Sequence, residues 1–243
     1  MTVDIADRIA EQVVNRAGVG LAPPVDLARV AEYLGVISIH QAALVEDGRL
    51  NQVAGSSRIY VRAGVAPSRR RFTIAHELGH IVLAGREKEF IAHRSAALTD
   101  PEERFCNQFA AALLLPRGWL VDTVGPAPES LRTAREVSRA TGASLAASVV
   151  RLREVLAWRC SMLQWRRLDG SWRLVSTVGL PLRAHNRITS TDVTRDTIGS
   201  CPVRQIQRVA LPLAIDGRVE WMRGELSVSQ TSAVLLGRLG RAP

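Results

Sequence analysis

The sequence predicts an α+β protein in three parts: helices with a few strands over residues 1–128, a pair of helices over 129–157, and a basic, β-rich unit over 158–243. Helical periods dominate the chain before residue 157, whereas a period of two dominates after it, with Asp-Gly hairpin signals at 169–170 and 216–217. The stretch 125–128, Gly-Pro-Ala-Pro, breaks the chain between the first two parts. With 47% apolar and 23% charged residues, the 243-residue chain has a globular composition.

The first part opens with two amphipathic helices and two strands. Apolar positions recur at helical spacing over 4–16 and over 25–34, and prolines precede the second helix. Alternating apolar positions predict strands over 36–40 and 57–62, with an Asp-Gly turn signal at 47–48 between them. We expect the strand over 57–62 to lie at a sheet edge, where a peptide could add as a further strand.

The next predicted helix carries the sequence His76-Glu77-Leu78-Gly79-His80. We expect Ser68 to cap its N-terminus and Gly85 to end it. Side chains four residues apart face the same way, so both imidazoles could bind one metal ion. Glu77 lies about 100° further round the helix, where it could serve as a general base. A catalytic zinc would need a third protein ligand.

Several residues compete for the position of third ligand. A histidine six residues after the second one is excluded, because position 86 is Arg86. Glu89 and His93 follow in a predicted loop, and either could be recruited. Glu103 fits better because it continues the apolar face of a predicted helix over 101–115, and a carboxylate on a buried face needs a partner. Glu102 is the adjacent alternative, on a side that we expect to face solvent.

Two stretches resemble the ImmA/IrrE metallopeptidases. Residues 71–80 read RFTIAHELGH and residues 103–116 read ERFCNQFAAALLLP, against family patterns of RFTxAHExGH and ExxANxFAxxLLxP. Cys106 stands where Ala is usual, and Leu115 stands where Met is usual. The resemblance extends over roughly residues 20–155, because the helical pair is similar to the helix-turn-helix segment of that family.

The resemblance implies a zincin-like domain, made of a small sheet, the motif helix and a Glu-bearing helix. It implies an endopeptidase whose Zn²⁺ is held by His76, His80 and Glu103, with Glu77 as general base. The implied substrate is a partner transcriptional repressor of the helix-turn-helix type, cut in a stress response or in derepression of a mobile element. Tyr60 and His40, on the two predicted strands, are candidates for hydrogen bonds to the transition state.

Charge is distributed unevenly along the chain. Residues 1–130 carry a net charge of −1, whereas residues 131–243 contain 18 Arg against 8 Asp and Glu, a net charge of +10. This asymmetry indicates either an acidic partner for the C-terminal half or a solvated basic face. It supports an alternative function, a non-proteolytic, zinc-containing regulator that binds DNA or a protein partner through this half.

The sequence also bears on the compartment. The longest apolar run, 109–115, is far below the ~20 residues of a membrane-spanning helix, so no membrane association is expected. Acidic residues in the first eleven positions argue against a secretory signal, which favours the cytoplasm. Cys106, Cys160 and Cys201 are odd in number and widely spaced, which predicts reduced thiols.

Overall fold

The structure is a computed structural model that describes residues 2–53, 56–85, 101–180 and 188–240. The described chain is a mixed α and β protein, as predicted. It divides into two compact units. The first unit consists of Met1–Pro126 and Glu136–Ala147, and the second of Ala127–Arg135 and Ser148–Pro243.

Two helices open the first unit, α1 (Thr2–Arg16) and α2 (Leu27–Tyr33). The predicted start of the second helix at residue 25 is wrong by two residues, because Asp26 is the N-cap. Its carboxylate accepts hydrogen bonds from the backbone nitrogens of Ala28 and Arg29, at 3.0 and 3.2 Å. Such a cap satisfies amide groups that have no partner within the helix.

The described strands of the first unit form one sheet. They are β1 (Val36–Ala42), β2 (Gly48–Val53) and β3 (Ser56–Arg62), in the order β1-β3-β2. β3 pairs in parallel with β1 and in antiparallel with β2. The prediction that the strand over 57–62 is an edge is therefore wrong, because it lies in the centre. The edge next to it is β2, which begins at the Gly of the predicted turn.

Two long helices follow, α3 (Pro67–Ala84) and α4 (Pro101–Leu114). The prediction that Ser68 caps α3 is wrong, since the helix begins at Pro67 and has no side-chain cap. Proline suits this position because its missing N–H would have no helical partner there. The helix ends at Gly85 as predicted. α3 contacts β2, β3 and α4, and α1 contacts α4.

Shorter helices connect this region to the strands that follow. α5 (Arg117–Trp119) continues into a π-helical turn (Leu120–Val124). α6 (Leu131–Thr141) and α7 (Leu145–Leu156) match the predicted helical pair, with Gly142 between them at φ 68°. No helix of the described ranges is long and apolar enough to cross a membrane.

The second unit contains a six-stranded antiparallel sheet. The strand order is β5-β4-β9-β8-β7-β6. The two predicted Asp-Gly hairpins are confirmed, since Asp169 and Asp216 have φ 49° and the glycine after each has φ 77°. Positive φ at both positions is the requirement of a type I′ turn. The elements of this sheet and its helix are β4 (Ser161–Leu168), β5 (Ser171–Val178), β6 (Ile188–Ser190), α8 (Asp192–Ser200), β7 (Ile206–Ile215), β8 (Arg218–Val228) and β9 (Ser232–Gly240).

One face of this sheet carries the core of the second unit. Trp165, Leu211, Met222 and Leu235 are fully buried there, and Ile198 of α8 packs among them. The three cysteines of the chain are free thiols, as predicted; two are buried and one is half-buried.

Candidate metal centre

The motif helix α3 places two imidazoles side by side. His76 and His80 are four residues apart, and their Nε2 atoms lie 3.2 Å from each other. Their side chains are 16% and 29% exposed, so both are partly withdrawn from solvent yet accessible to a small ligand. This is the arrangement that the spacing of the motif predicts.

α4 brings a carboxylate to the same point. The Oε2 atom of Glu103 lies 3.3 Å from His76 Nε2, and its Oε1 atom lies 3.2 Å from His80 Nε2. The candidate ligand atoms of the three residues all lie within 4.8 Å of one another, so the group could hold a metal ion. Glu102 is not part of this group, and Glu89 and His93 lie outside the described residues.

Asn107 fixes the orientation of the first imidazole. His76 Nδ1 lies 3.1 Å from Asn107 Oδ1. Because a carbonyl oxygen can only accept, Nδ1 donates, and Nε2 of the neutral ring keeps its lone pair. That lone pair faces His80 Nε2 and the carboxylate of Glu103. Two imidazole nitrogens and a carboxylate that converge on one point are a donor set that fits a shared metal ion.

Glu77 lies beside this group and is buried, with 7% of its surface exposed. Burial is the main cause that raises the pKa of the Glu77 carboxyl, and the nearby Glu103 carboxylate also raises it. His80 and a hydrogen bond from the backbone of Leu50 lower this pKa, but by less. Burial also lowers the pKa of His76, against the opposing charge of Glu103. Desolvation disfavours the charged form of each group, which leaves His76 neutral, as a metal ligand must be.

An open cleft of ≈ 420 Å³ contains all of these groups. Gly48, the first residue of the edge strand β2, lies so close to α3 that a Cβ there would be 2.7 Å from Glu77 Oε1. Arg69 Nε donates to Asp47 Oδ2 at 2.8 Å, and the guanidinium lies 5.7 Å from the Phe72 ring centre. The lining residues are Asp47, Gly48, Arg69, Phe72, Thr73, His76, Glu77, His80, Glu103 and Asn107.

Tyr60 and His40 do not line this cleft. They are partners in the β1–β3 register and stack on each other, with ring centres 5.6 Å apart. Along β3, Tyr60 alternates with the buried Ile59 and Val61, so it lies on the opposite face of the sheet. The structure therefore does not bring these two residues to the metal ligands.

Sequence reasoning did not single out Asn107 or Gly48. Asn107 follows Glu103 by four residues on one helix, so the helical period alone places both side chains on the same face. That signal was present in the sequence. Nothing local marks Gly48 as a neighbour of Glu77, because their contact depends on how β2 packs against α3.

Comparison with known proteins agrees with this site. The family model of the IrrE N-terminal-like domain, peptidase family M78, matches residues 31–153, just over half of the chain. The radiation response metalloprotease IrrE of Deinococcus radiodurans is 32% identical over 80 residues. That match covers 30% of this chain and 24% of the relative, so the chain spans about a quarter of the length of this curated protein.

A solved structure is also similar. It is a Mycobacterium tuberculosis transcriptional regulator, with a TM-score of 0.56 and 14% identity, and the match covers 97% of this chain and 76% of that one. At this level of identity the likeness concerns the fold alone.

Proposed function

Because the chain belongs to the peptidase family of the IrrE N-terminal-like domain, we propose that it is a zinc-dependent endopeptidase that cleaves a partner helix-turn-helix transcriptional repressor. One observation carries the proposal. Three metal-binding side chains converge in an open cleft, and the buried carboxylate of Glu77 lies beside them. This combination supplies metal ligands and a proton acceptor where a peptide could reach both.

The donor set favours zinc. Two histidines and a glutamate are the ligands of a common class of catalytic zinc sites. Ligands that surround zinc tetrahedrally at about 2.0–2.1 Å are separated by ~3.3 Å. The Nε2 atoms of His76 and His80 lie 3.2 Å apart, which agrees with that value, and each lies within 3.3 Å of a different Glu103 oxygen.

The protein's own groups divide the work of peptide hydrolysis. Bound zinc would supply a Lewis acid that polarises the scissile carbonyl and makes water a better nucleophile at neutral pH. Glu77 takes the proton from the attacking water and passes it to the leaving amine. Asn107 holds His76 with Nε2 directed into the site. Burial of Glu77 raises its pKa, which makes its carboxylate a stronger proton acceptor.

The edge strand β2 suits the binding of an extended peptide. Its first residue, Gly48, lines the cleft, and β3 occupies one of its sides. A peptide that pairs with the other side of β2 would run past Glu77 and gain main-chain hydrogen bonds. In this proposal the peptide pairs with β2, whereas the sequence predicted that it would pair with the strand over 57–62.

The domain organisation follows from the same proposal. Residues 1–128 would form a zincin-like peptidase domain, residues 129–157 a helix-turn-helix-like segment, and residues 158–243 a separate β-rich unit. A repressor as substrate implies action in the cytoplasm. The Deinococcus radiodurans relative is a radiation response metalloprotease, which supports a stress-related repressor over other substrates.

Cleavage of a purified repressor tests the proposal. We expect zinc-loaded protein to cut the helix-turn-helix repressor encoded beside it at one position, and Glu77→Gln to slow the cut by at least about 10²-fold. Glu32→Gln, on the exposed side of α2, makes the same chemical change away from the cleft and should cleave normally. An equal rate in Glu77→Gln would assign the cut to a contaminant and overturn the proposal.

The charge of the C-terminal half favours a second candidate, a non-proteolytic regulator that binds DNA or a protein. The structure limits one form of it: the exposed positions of α7 include Val150 and Glu154, whereas Arg151 is 2% exposed. A recognition helix needs polar groups that reach base edges. DNA binding that persists in Glu77→Gln and weakens with salt, without any cleavage, would support this candidate.

A further inference from the structure

The second unit contains a cavity that peptide hydrolysis does not use. It measures ≈ 590 Å³ and lies over the face of the six-stranded sheet that is opposite the Met222 and Leu235 core. Neighbouring residues on a strand face opposite sides of the sheet. Arg223 directly follows the core residue Met222 on β8, and Arg238 lies three residues after Leu235 on β9, so both arginines lie on the cavity side. Arg208 of β7 lines the same cavity.

The strand register holds these arginines close together. Arg223 pairs directly with Arg238, whereas Arg208 pairs directly with Glu225 and lies diagonally from Arg223. Like charges directly opposite each other on neighbouring strands destabilise a sheet. The Glu129 carboxylate offsets part of this repulsion by pairing with Arg238, and an anion bound beside Arg223 would offset the rest.

Two carboxylates line the cavity, and each has a partner. Arg238 forms an ion pair with Glu129 at 2.8 Å. Glu225 accepts a hydrogen bond from the backbone nitrogen of Leu131 at 2.7 Å. Among the described residues, Arg208 and Arg223 have no ion pair and no hydrogen bond to another side chain, and both are exposed. Two guanidinium groups therefore face the cavity with their donors available.

We propose that this cavity binds a small anionic molecule through phosphate or carboxylate groups, with Arg208 and Arg223 as its principal ligands. The planar fork of arginine matches both kinds of oxyanion with paired hydrogen bonds. The volume falls within the range of sites for small molecules. Ala210 and the backbone between the arginines leave room for an uncharged part of the ligand.

A small ligand suits this site better than nucleic acid. The arginines lie in a concavity, and the carboxylates of Glu129 and Glu225 share its lining. Fixed negative charges at this place would repel the continuous phosphate backbone of a duplex. A compact anion would meet less of this repulsion than a duplex, because it would occupy only part of the lining.

Calorimetric titration of the 243-residue chain tests this site. Inorganic pyrophosphate and citrate serve as probes, because they separate phosphate from carboxylate recognition. We expect one bound probe per chain, with at least about tenfold weaker binding in Arg223→Gln and in Arg208→Gln, as for loss of a charged hydrogen bond. Arg218→Gln removes the same charge from the same strand as Arg223, outside the cavity lining, and should bind like the wild type.

Each result bears on the proposal. Tighter binding of pyrophosphate identifies a phosphate ligand, and tighter binding of citrate identifies a carboxylate. Equal weakening in Arg218→Gln would show attraction by net charge and overturn the proposal. It would equally be overturned if neither probe bound at millimolar concentration, or if a DNA duplex displaced the probe from the wild type. Circular dichroism of the variants checks that the sheet is intact.

Discussion

At the scale of single residues, Asn107 orients one of the histidines of the candidate metal centre. A histidine ring can present either nitrogen, and only Nε2 of His76 lies near Glu103. The hydrogen bond between His76 Nδ1 and Asn107 Oδ1 selects that nitrogen before any ion arrives. Asn107 is not one of the candidate metal ligands and acts through His76, so it is a positioning residue.

We expect Asn107→Ala to weaken metal binding by about 10- to 100-fold, as is usual when such a partner of a ligating histidine is lost. Asn107→Asp keeps an acceptor oxygen and should retain most of the affinity. Competition against a chromogenic zinc chelator measures both. Equal affinity of Asn107→Ala and the wild type would show that packing alone orients His76.

Cys160 gives a pH-dependent prediction at the same scale. Burial raises the pKa of its thiol to about 11, and the negative charge of Glu129 adds to the effect. At pH 8 about one thiol in a thousand would be ionised, against about a quarter for an unperturbed cysteine. Iodoacetamide should therefore label Cys160 slowly in the folded protein, and faster as the pH rises.

Mass spectrometry of labelled peptides gives the rate for each cysteine, with denatured protein as reference. Equal rates at pH 8 in folded and denatured protein would contradict the shifted pKa of Cys160. The raised pKa also has a thermodynamic consequence. Because the folded state holds the proton more tightly, its contribution to stability is complete below the unfolded pKa of about 8.5 and falls as pH rises towards 11.

At the scale of elements, the site depends on how closely α3 approaches α4. A Cβ on Gly79 would lie 3.0 Å from the Cα atom of Cys106, so the two helices touch through backbone atoms. Glu103 is three residues before Cys106, nearly one helical turn away. Any shift of α4 at Cys106 therefore also moves the third candidate ligand.

We expect Gly79→Ala to cost about 1–3 kcal/mol of stability, as overpacking usually does, and to weaken metal binding. Gly118→Ala is the matched control, since a Cβ there meets no atom within 4 Å. Thermal unfolding with and without zinc measures both effects. If the two variants behave alike, the helices can separate without disturbing Glu103.

The contrast between predicted and observed elements has a physical basis. α3, α4 and the Asp169 hairpin were predictable because their signals are local: a helical period, a proline start, a two-residue turn. β2 was not, since only Leu50 and Val53 are apolar in Gly48–Val53 and its alternation is too weak to predict a strand. That segment becomes a strand by pairing with β3, a long-range contact.

The same distinction applies to the site. The spacing of His76 and His80 is a property of one helix, and a single sequence reveals it. Glu103 was a candidate because a carboxylate on a buried helix face needs a partner, but its side chain is 51% exposed. Its position beside the two histidines, and not burial, makes it a candidate ligand. Tyr60 was a candidate because its hydroxyl group could donate a hydrogen bond to the transition state, but strand alternation places it on the other face of the sheet. The sequence indicates which residues lie on the same face of a helix or strand, whereas tertiary packing determines which other elements that face contacts.

At the scale of the whole molecule, chemistry and charge are divided between the two units. The candidate metal ligands all belong to the unit that contains Met1–Pro126. The excess positive charge belongs to residues 131–243, most of which lie in the other unit. The six-stranded sheet has its own core around Trp165 and Met222. A perturbation of the metal centre is therefore expected to act on one unit.

Metal removal tests this division. Binding at 100 times the dissociation constant stabilises a folded state by about 2.7 kcal/mol. Stripping zinc with a chelator should therefore speed amide hydrogen exchange in α3 and α4, while β7, β8 and β9 keep their protection. In Glu103→Ala, the amide hydrogen exchange rates should be the same with and without zinc. This control separates the effect of losing the bound metal from other effects of the chelator. Equal loss of protection in β8 and in α3 would mean that the metal stabilises the chain as one cooperative unit.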